Sequence, residues 1–131
     1  MSFGTVVVFV VEDEPLIQEV LQLALEEAGF AVITARSVDQ AIAMLEAQNP
    51  EFRALITDIN LASGKLTGWD VARRARELNP DLPVVYMTGD SAQEWSSMGV
   101  PNSVLLSKPF APVQVTTAVS QLLNASGPNH T

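Results

Sequence analysis

The chain has 131 residues, of which 47% are hydrophobic, and its 15 acidic and 7 basic side chains give a formal net charge of −8. This length and composition favour a single domain with one substantial core. The acidic balance argues against nucleic-acid binding and against docking on an anionic membrane, since both need a basic surface. The absence of cysteine excludes disulfides, thiolate metal sites and cysteine nucleophiles. The apolar run 6–11 is too short for a signal peptide or a membrane span, so we expect a cytoplasmic protein.

The chain begins with the pattern of a buried strand followed by a helix. Residues 5–11 form a continuous, β-branched apolar run, which is typical of a strand covered on both faces of a parallel sheet. Pro15 suits the first turn of a helix, and Gly29 suits the cap that ends it. The short apolar run 31–34 then predicts a second strand.

The same alternation continues through the middle of the chain. Ser37 and Gln40 have the spacing of a capping box, which predicts a second helix that ends before Pro50. The apolar run 52–57 predicts a third strand that stops at a carboxylate. A loop containing Gly68 follows, and the periodicity over 69–78 predicts a third helix. The basic residues of that helix, Arg73, Arg74 and Arg76, are expected to form a solvated face.

The last third contains two more strands and two more helices. We predict strands over 83–87 and 104–106, a weak helix over 91–98 and a final helix over 112–123. Five strands alternating with five helices predict a doubly wound, flavodoxin-like parallel sheet in a three-layer α/β/α arrangement. The domain should span residues 1–124, and the polar residues 125–131 should form a disordered tail.

Polar residues follow the predicted strands at the edge where sites form in such sheets. Glu12 and Asp13 come after the first strand, Asp58 after the third, Thr88 after the fourth and Lys108 after the fifth. Carboxylates held together raise one another's pKa unless a cation neutralises them. Magnesium suits such a group because it takes one or two carboxylates and keeps waters and phosphate oxygens. Zinc is disfavoured because neither histidine nor cysteine is near.

These residue types are suited to phosphoryl transfer. A carboxylate at the end of a central strand can act as a nucleophile and form an acyl phosphate. A lysine ammonium and a bound metal can meet the charge on the transferring group, and a threonine hydroxyl can donate to one of its oxygens.

The chain resembles the receiver domain of bacterial two-component response regulators over residues 6–123. The resemblance rests on Glu12 and Asp13, on Asp58, on Thr88, and on the run from Lys108 through Pro109 to Phe110, and its specificity lies in the combination. The family resemblance implies that Asp58 is the phosphoacceptor. It also implies that Thr88 and Lys108 contact the phosphoryl group, and that the Lys108–Pro109 peptide is cis.

The resemblance further implies a metal and two kinds of partner. Mg²⁺, with Mn²⁺ as a substitute, would be held by Glu12, Asp13, Asp58 and the backbone carbonyl of Asn60, with Glu12 acting through water. The phosphodonor would be a phosphohistidine on a sensor histidine kinase or a histidine phosphotransfer protein. A downstream protein would bind the face formed by the fourth helix, the fifth strand and the fifth helix.

The sequence departs from the family pattern at several positions. Ala62 replaces the proline that the family usually has four residues after the acceptor. By the same resemblance, we expect the loop from 58 to 68 to be about two residues longer than in the chemotaxis regulator. Leu105 replaces the aromatic residue that usually precedes the lysine by three, so we expect the output face to respond differently to movement of Thr88. Asn60 and Asp90 occupy positions that tune phosphoryl lifetime in the family, and they predict rapid self-dephosphorylation.

Several functions are weighed from the sequence alone. A stand-alone receiver that catalyses only its own phosphorylation and dephosphorylation is favoured, with a receiver cut from a hybrid histidine kinase as the alternative. A magnesium-dependent phosphohydrolase is less well supported because Asn60 stands where such enzymes carry a second aspartate. A flavodoxin-like cofactor binder lacks a glycine-rich phosphate loop after the first strand. The formation of a homodimer stays open.

Overall fold

The computed structural model describes residues 5–48, 51–61, 66–89 and 92–125. Its strands are β1 (Val7–Val11), β2 (Ala31–Ala35), β3 (Phe52–Asp58), β4 (Val84–Thr88) and β5 (Ser103–Ser107). They form one sheet in the order β2-β1-β3-β4-β5, and every neighbouring pair is parallel. The predicted doubly wound parallel sheet is therefore confirmed, with the order of the strands reversing between β1 and β3.

Helices cover both faces of this sheet. They are α1 (Pro15–Glu27), α2 (Val38–Gln48), α3 (Gly68–Leu78), α4 (Trp95–Met98) and α5 (Pro112–Ala125). The side chains of α1 and α5 pack with one face of the strands, and those of α2 and α3 pack with the other. Since β1, β3 and β4 are buried on both faces, their continuous apolar runs are explained by the three-layer arrangement.

Local signals set the ends of the helices. Pro15 occupies the first turn of α1, and Gly29 lies just beyond that helix with φ +100°, a conformation that glycine adopts without strain. The Ser37 hydroxyl accepts a bond from the Gln40 amide, but the Gln40 side chain accepts from Arg36 and not from Ser37. The expected capping box is therefore half formed, and its second bond lies one residue earlier.

A complete capping box begins α3, where the sequence analysis identified none. The Thr67 hydroxyl accepts from the Trp69 amide at 3.2 Å, and the Asp70 carboxylate accepts from the Thr67 amide at 2.7 Å. Helix α3 starts at Gly68, one residue before the predicted start. The capping box fixes this start beside the end of β3.

The predicted weak helix over 91–98 is much shorter in the structure. A 3₁₀ turn covers Ala92–Glu94 and a single α-helical turn, Trp95–Met98, follows it. Its residues are not buried, so little apolar packing supports a longer helix. Residues 90 and 91 lie outside the described ranges.

Helix α5 continues through Ala125, two residues beyond its predicted end and into the predicted tail. The rest of that tail, 126–131, lies outside the described residues, as does Pro50. Among the helices that the structure describes, we find none with the length and apolar character needed to span a membrane.

Candidate functional site

The carboxyl ends of β1 and β3 lie side by side. Val11 is paired with Thr57, so the next residue of each strand, Glu12 and Asp58, comes to the same point at the edge of the sheet. Oxygen atoms of Glu12, Asp13 and Asp58 lie within 4.8 Å of one another. The structure therefore brings together the three carboxylates that the sequence placed at the ends of two different strands.

The cluster is buried on one side and open on the other. The Glu12 side chain is fully buried and Asp58 is 5% exposed, whereas Asp13 is half-buried. An open cavity of about 450 Å³ lies over them, and it is lined by Asp13, Glu14, Asp58, Asn60, Gly89 and Lys108. A ligand entering this cleft would reach the oxygen atoms of Asp58 from solvent.

Lys108, the residue directly after β5, supplies a positive charge to the cluster. Its Nζ lies 3.3 Å from Asp58 Oδ2 and 3.4 Å from Glu12 Oε1. The Lys108 amide donates to the Thr88 carbonyl at 2.7 Å, which ties the ends of β4 and β5 together, and the following peptide bond to Pro109 is cis. One ammonium is therefore shared between two nearly buried carboxylates.

Burial and charge shift the pKa values of these groups. Burial, reinforced by the charge of Asp58, raises the pKa of Glu12 to about 7, although the Glu14 amide and Lys108 oppose the shift. Burial also raises the pKa of Asp58, against the lowering effect of Lys108. Burial disfavours the Lys108 ammonium, but the charges of Asp58 and Glu12 outweigh that effect and raise the pKa of Lys108. The site therefore has excess negative charge that a cation would relieve.

Backbone and amide groups hold Glu12 in place. The Glu14 amide donates to Glu12 Oε2 at 3.0 Å, and the Glu12 amide donates to the Ala35 carbonyl at 3.0 Å. Gln18, one turn into α1, donates its side-chain amide to the carbonyls of both Glu12 and Ala35. The sequence analysis missed this role of Gln18, because a glutamine on the first turn of a helix gives no signal of its target.

Gly68 is the second residue that the sequence analysis undervalued. A Cβ at this position would overlap the carbonyl oxygen of Asp58 and would lie 2.8 Å from the Ile59 Cα. The Gly68 amide donates to the Ile59 carbonyl at 2.9 Å. The helix α3 therefore starts against the backbone of Asp58 itself, and only glycine permits that approach.

The remaining predicted residues occupy different positions. Asn60 lines the cleft, and Thr88 ends β4 with 1% of its surface exposed. Leu105 packs against the core on the α2 and α3 face of the sheet. Ala62 and Asp90 lie outside the described residues. The roles assigned to Asn60, Thr88 and Asp90 stay predictions.

The donor set fits a hard divalent cation. Three carboxylates offer oxygen atoms at one open site, and oxygen is the ligand that both Mg²⁺ and Mn²⁺ prefer. Neither sulfur nor imidazole ligands belong to the cluster, as zinc sites usually require. The residues present therefore suit the metal that the sequence predicted.

Comparisons with known proteins give the family. The model of the response regulator receiver domain matches residues 8–120. The response regulator receiver protein CpdR of Brucella abortus is 31% identical over 121 residues, which cover 91% of this chain and 98% of CpdR. The probable transcriptional regulatory protein TcrX of Mycobacterium tuberculosis is 32% identical over 93% of this chain.

The chain spans about half the length of TcrX and of several other curated relatives that it matches. Among solved structures, a response regulator receiver protein from Sinorhizobium medicae is 41% identical with a TM-score of 0.90, covering 96% of this chain and all of that one. A putative response regulator from Chloroflexus aurantiacus is 28% identical with a TM-score of 0.80, over 92% and 99% of the two chains. The chain therefore belongs to the family of response regulator receiver domains, the signalling domains of two-component systems.

Proposed function

We propose that this domain is a signalling switch in which Asp58 accepts a phosphoryl group from a phosphohistidine. The observation that carries the proposal is the Lys108 ammonium lying 3.3 Å from Asp58 Oδ2, beside two further carboxylates in an open cleft. Membership of the receiver family gives the class of reaction. The donor is a sensor histidine kinase or a histidine phosphotransfer protein.

In the proposed reaction, an oxygen of Asp58 forms a bond to phosphorus as the bond from phosphorus to the imidazole nitrogen of the donor breaks. The electron pair of the broken bond stays on that nitrogen. Lys108 stabilises the negative charge on the transferring group, and the Thr88 hydroxyl donates to one of its oxygens. Attack of water on phosphorus later releases phosphate and regenerates Asp58.

Glu12, Asp13, Asp58 and the carbonyl of Asn60 would hold the Mg²⁺ ion. When bound, the ion neutralises the carboxylates and the charge of the phosphoryl oxygens. Glu12 is the most deeply buried of these groups, so it suits a contact through water, whereas Asp13 and Asp58 line the cleft directly. Asn60 lines the same cleft. The proposal includes rapid self-dephosphorylation, because Asn60 occupies a position associated in the family with the phosphoryl lifetime.

The domain offers a protein donor an apolar surface beside the cleft. A groove of about 470 Å³ is lined by Leu16, Ile17, Val20, Leu21, Lys108, Pro109, Phe110 and Pro112. Leu16 is 77% exposed, and Lys108 borders both this groove and the carboxylate cleft. A helix of the donor seated in this groove would lie next to Asp58, so we place the docking of the phosphodonor there.

We favour a stand-alone receiver over a receiver within a hybrid kinase or a longer regulator. CpdR supports this choice because it is matched over 98% of its own length. TcrX supports the alternative, because the chain covers 51% of it. The size of the protein in lysates of the source organism, detected by antibody, distinguishes the two forms. A band near 14.1 kDa fits the first, and a much larger band fits the second.

Phosphorylation of an Asp58→Asn variant tests the proposal. The domain is incubated with acetyl phosphate and Mg²⁺, and the intact mass is measured. We expect one phosphoryl group on the unsubstituted domain and none on the variant, because the amide is not a nucleophile of comparable strength. Asp81→Asn, an exposed aspartate in the connection before β4, is the matched control and should be phosphorylated normally. Equal phosphorylation of Asp58→Asn would contradict the proposal.

A further inference from the structure

Tyr86 is a buried tyrosine in the middle of β4 whose hydroxyl has a defined partner. The side chain is fully buried, and its hydroxyl oxygen accepts a hydrogen bond from the Val100 amide at 3.0 Å. Val100 lies in the connection between α4 and β5, residues 99–102. The hydroxyl therefore ties the middle of the sheet to the segment that follows α4.

Tyr86 lies on the same side of the sheet as Thr88 of its own strand and beside Leu105 of β5. Because side chains alternate along a strand, Tyr86 and Thr88 are on the same face of β4. Tyr86 is directly opposite Leu105 in the pairing of β4 with β5. Strand β5 has the sequence Ser-Val-Leu-Leu-Ser and so carries no aromatic residue. The aromatic ring on this face is supplied by the neighbouring strand.

The ring of Tyr86 also contacts α3, the helix whose first residue lies against the backbone of Asp58. Its centroid lies 4.8 Å from that of Trp69, with the two planes inclined at 59°. Trp69 follows Gly68, whose backbone lies against the carbonyl of Asp58. Two consecutive residues of α3, Gly68 and Trp69, therefore connect the backbone of Asp58 to the tyrosine ring.

Other bonds hold the rest of the connection to α3. Arg76 donates to the carbonyls of Leu82 and Pro101 at 2.6 Å and to that of Asn102 at 3.3 Å. This guanidinium is half-buried, so the expectation of a solvated face is wrong for Arg76, although Arg73 and Arg74 form ion pairs at the surface. Arg76 and Tyr86 together fasten the connection to α3 and β4.

Trp95 links α4 to the same connection. Its Nε1 donates to the Ser103 hydroxyl at 2.9 Å, and that hydroxyl donates to the Val100 carbonyl at 2.7 Å. Both backbone polar groups of Val100 are thus bonded, one to Tyr86 and one to Ser103. A buried amide that loses its acceptor is costly, so Val100 should move when Tyr86 moves.

We propose that the Tyr86 hydroxyl couples the Asp58 site to α4 and the connection after it, in place of an aromatic residue at position 105. The proposal rests on the proposed phosphorylation of Asp58. In this chain the signal passes through a hydroxyl-to-amide bond from β4 to Val100. Tyr86 is a positioning residue, since it would act through its contacts with Trp69 and Val100.

Nuclear magnetic resonance of backbone amides tests the proposal, with beryllofluoride and Mg²⁺ as the probe that mimics the phosphoryl group. In the unsubstituted domain we expect shift changes at residues 58–61 and at residues 95–103, including the Val100 amide. In Tyr86→Phe, which keeps the ring and removes the hydroxyl, the changes at 58–61 should persist. Those at 95–103 should fall at least about fivefold.

Ser103→Ala is the matched control because it removes a hydroxyl at the start of β5 that donates to the same connection, and it leaves the Tyr86 bond in place. Its Val100 amide should keep responding to beryllofluoride. A full response at 95–103 in Tyr86→Phe, or an equal loss in Ser103→Ala, would overturn the coupling role alone. If the chemical shift of the Val100 amide did not change in the unsubstituted domain, the coupling role would also be overturned. That measurement involves no substitution that could disturb folding. Absence of change at 58–61 in that domain would instead contradict the proposed function, and the coupling role with it.

Discussion

The carboxylate cleft and the corner formed by α4 and its connection to β5 are built in different ways. In the cleft, each charged side chain follows a strand end, so the backbone of a parallel sheet is enough to bring Glu12, Asp58 and Lys108 together. In the corner, the connection that follows a single helical turn is held by side chains of α3 and β4 that are distant in sequence. The arrangement of the cleft therefore depends on sheet topology, whereas that of the corner depends on side-chain contacts between distant residues.

The largest expected effect concerns Glu12, because burial of its ionised carboxylate in the cleft destabilises the folded domain. The pKa of Glu12 in the folded domain, about 7, lies above its ordinary value of 4.5, so the folded state binds more protons than the unfolded state between those values. The contribution of Glu12 to stability is therefore least favourable above about pH 7, and the penalty disappears as the pH falls towards 4.5.

Glu12→Gln should therefore stabilise the metal-free domain by on the order of 3 kcal/mol at about pH 8, and the gain should fade towards about pH 5. Urea unfolding at several pH values measures this free energy. The same variant should bind Mg²⁺ less tightly, as measured by calorimetry. Glu19→Gln, at an exposed position of α1, is the control and should change neither quantity. If the stability difference between Glu12→Gln and the unsubstituted domain did not depend on pH, the ionised Glu12 carboxylate would not destabilise the folded domain.

Gly68→Ala sharpens the comparison because it acts where the cleft and α3 meet. The added methyl group overlaps the Asp58 carbonyl, so we expect a loss of stability of about 2 kcal/mol and slower phosphorylation. Denaturant unfolding and the rate of phosphorylation by acetyl phosphate measure the two effects. Gly89→Ala has open space around the new methyl group and should retain its stability. Equal stability of the two variants would mean that α3 does not need to approach Asp58 so closely.

The smallest expected effect concerns the apolar groove. Leu16→Ala should slow phosphotransfer from a protein donor by about fivefold, because it truncates an exposed contact beside the cleft. Its phosphorylation by acetyl phosphate should not change. Leu23→Ala truncates another exposed leucine of α1, about 10 Å further along the helix, and serves as the control. If both variants slowed phosphotransfer equally, or if neither did, the phosphodonor would not dock in the groove.

The cleft was largely predictable because it depends on strand ends, which apolar runs reveal. The five strands, the residues that follow them and the parallel order all came from local pattern and the geometry of doubly wound sheets. The ends of helices were predicted less well. The complete capping box at Thr67 and Asp70 went unnoticed because it precedes the apolar periodicity of α3.

The corner could not be predicted because its contacts join residues far apart in the chain. Arg76 lies in a basic run that is typical of a solvated face, yet it binds carbonyls about twenty-five residues later. The close approach of Gly68 to Asp58 depends on where α3 packs, and glycine alone indicates only a turn. The shortness of α4 likewise follows from missing burial, which periodicity in eight residues does not reveal.

The central claim is that one carboxylate, Asp58, receives the phosphoryl group in a cleft shared with Lys108. Borohydride reduction of the domain after treatment with acetyl phosphate and Mg²⁺ tests it most directly, because this reagent converts an aspartyl phosphate into homoserine. Peptide mass spectrometry should then find homoserine at position 58, and omission of Mg²⁺ should remove it. Homoserine at another aspartate, or phosphate retained on a serine, threonine or histidine, would contradict the account.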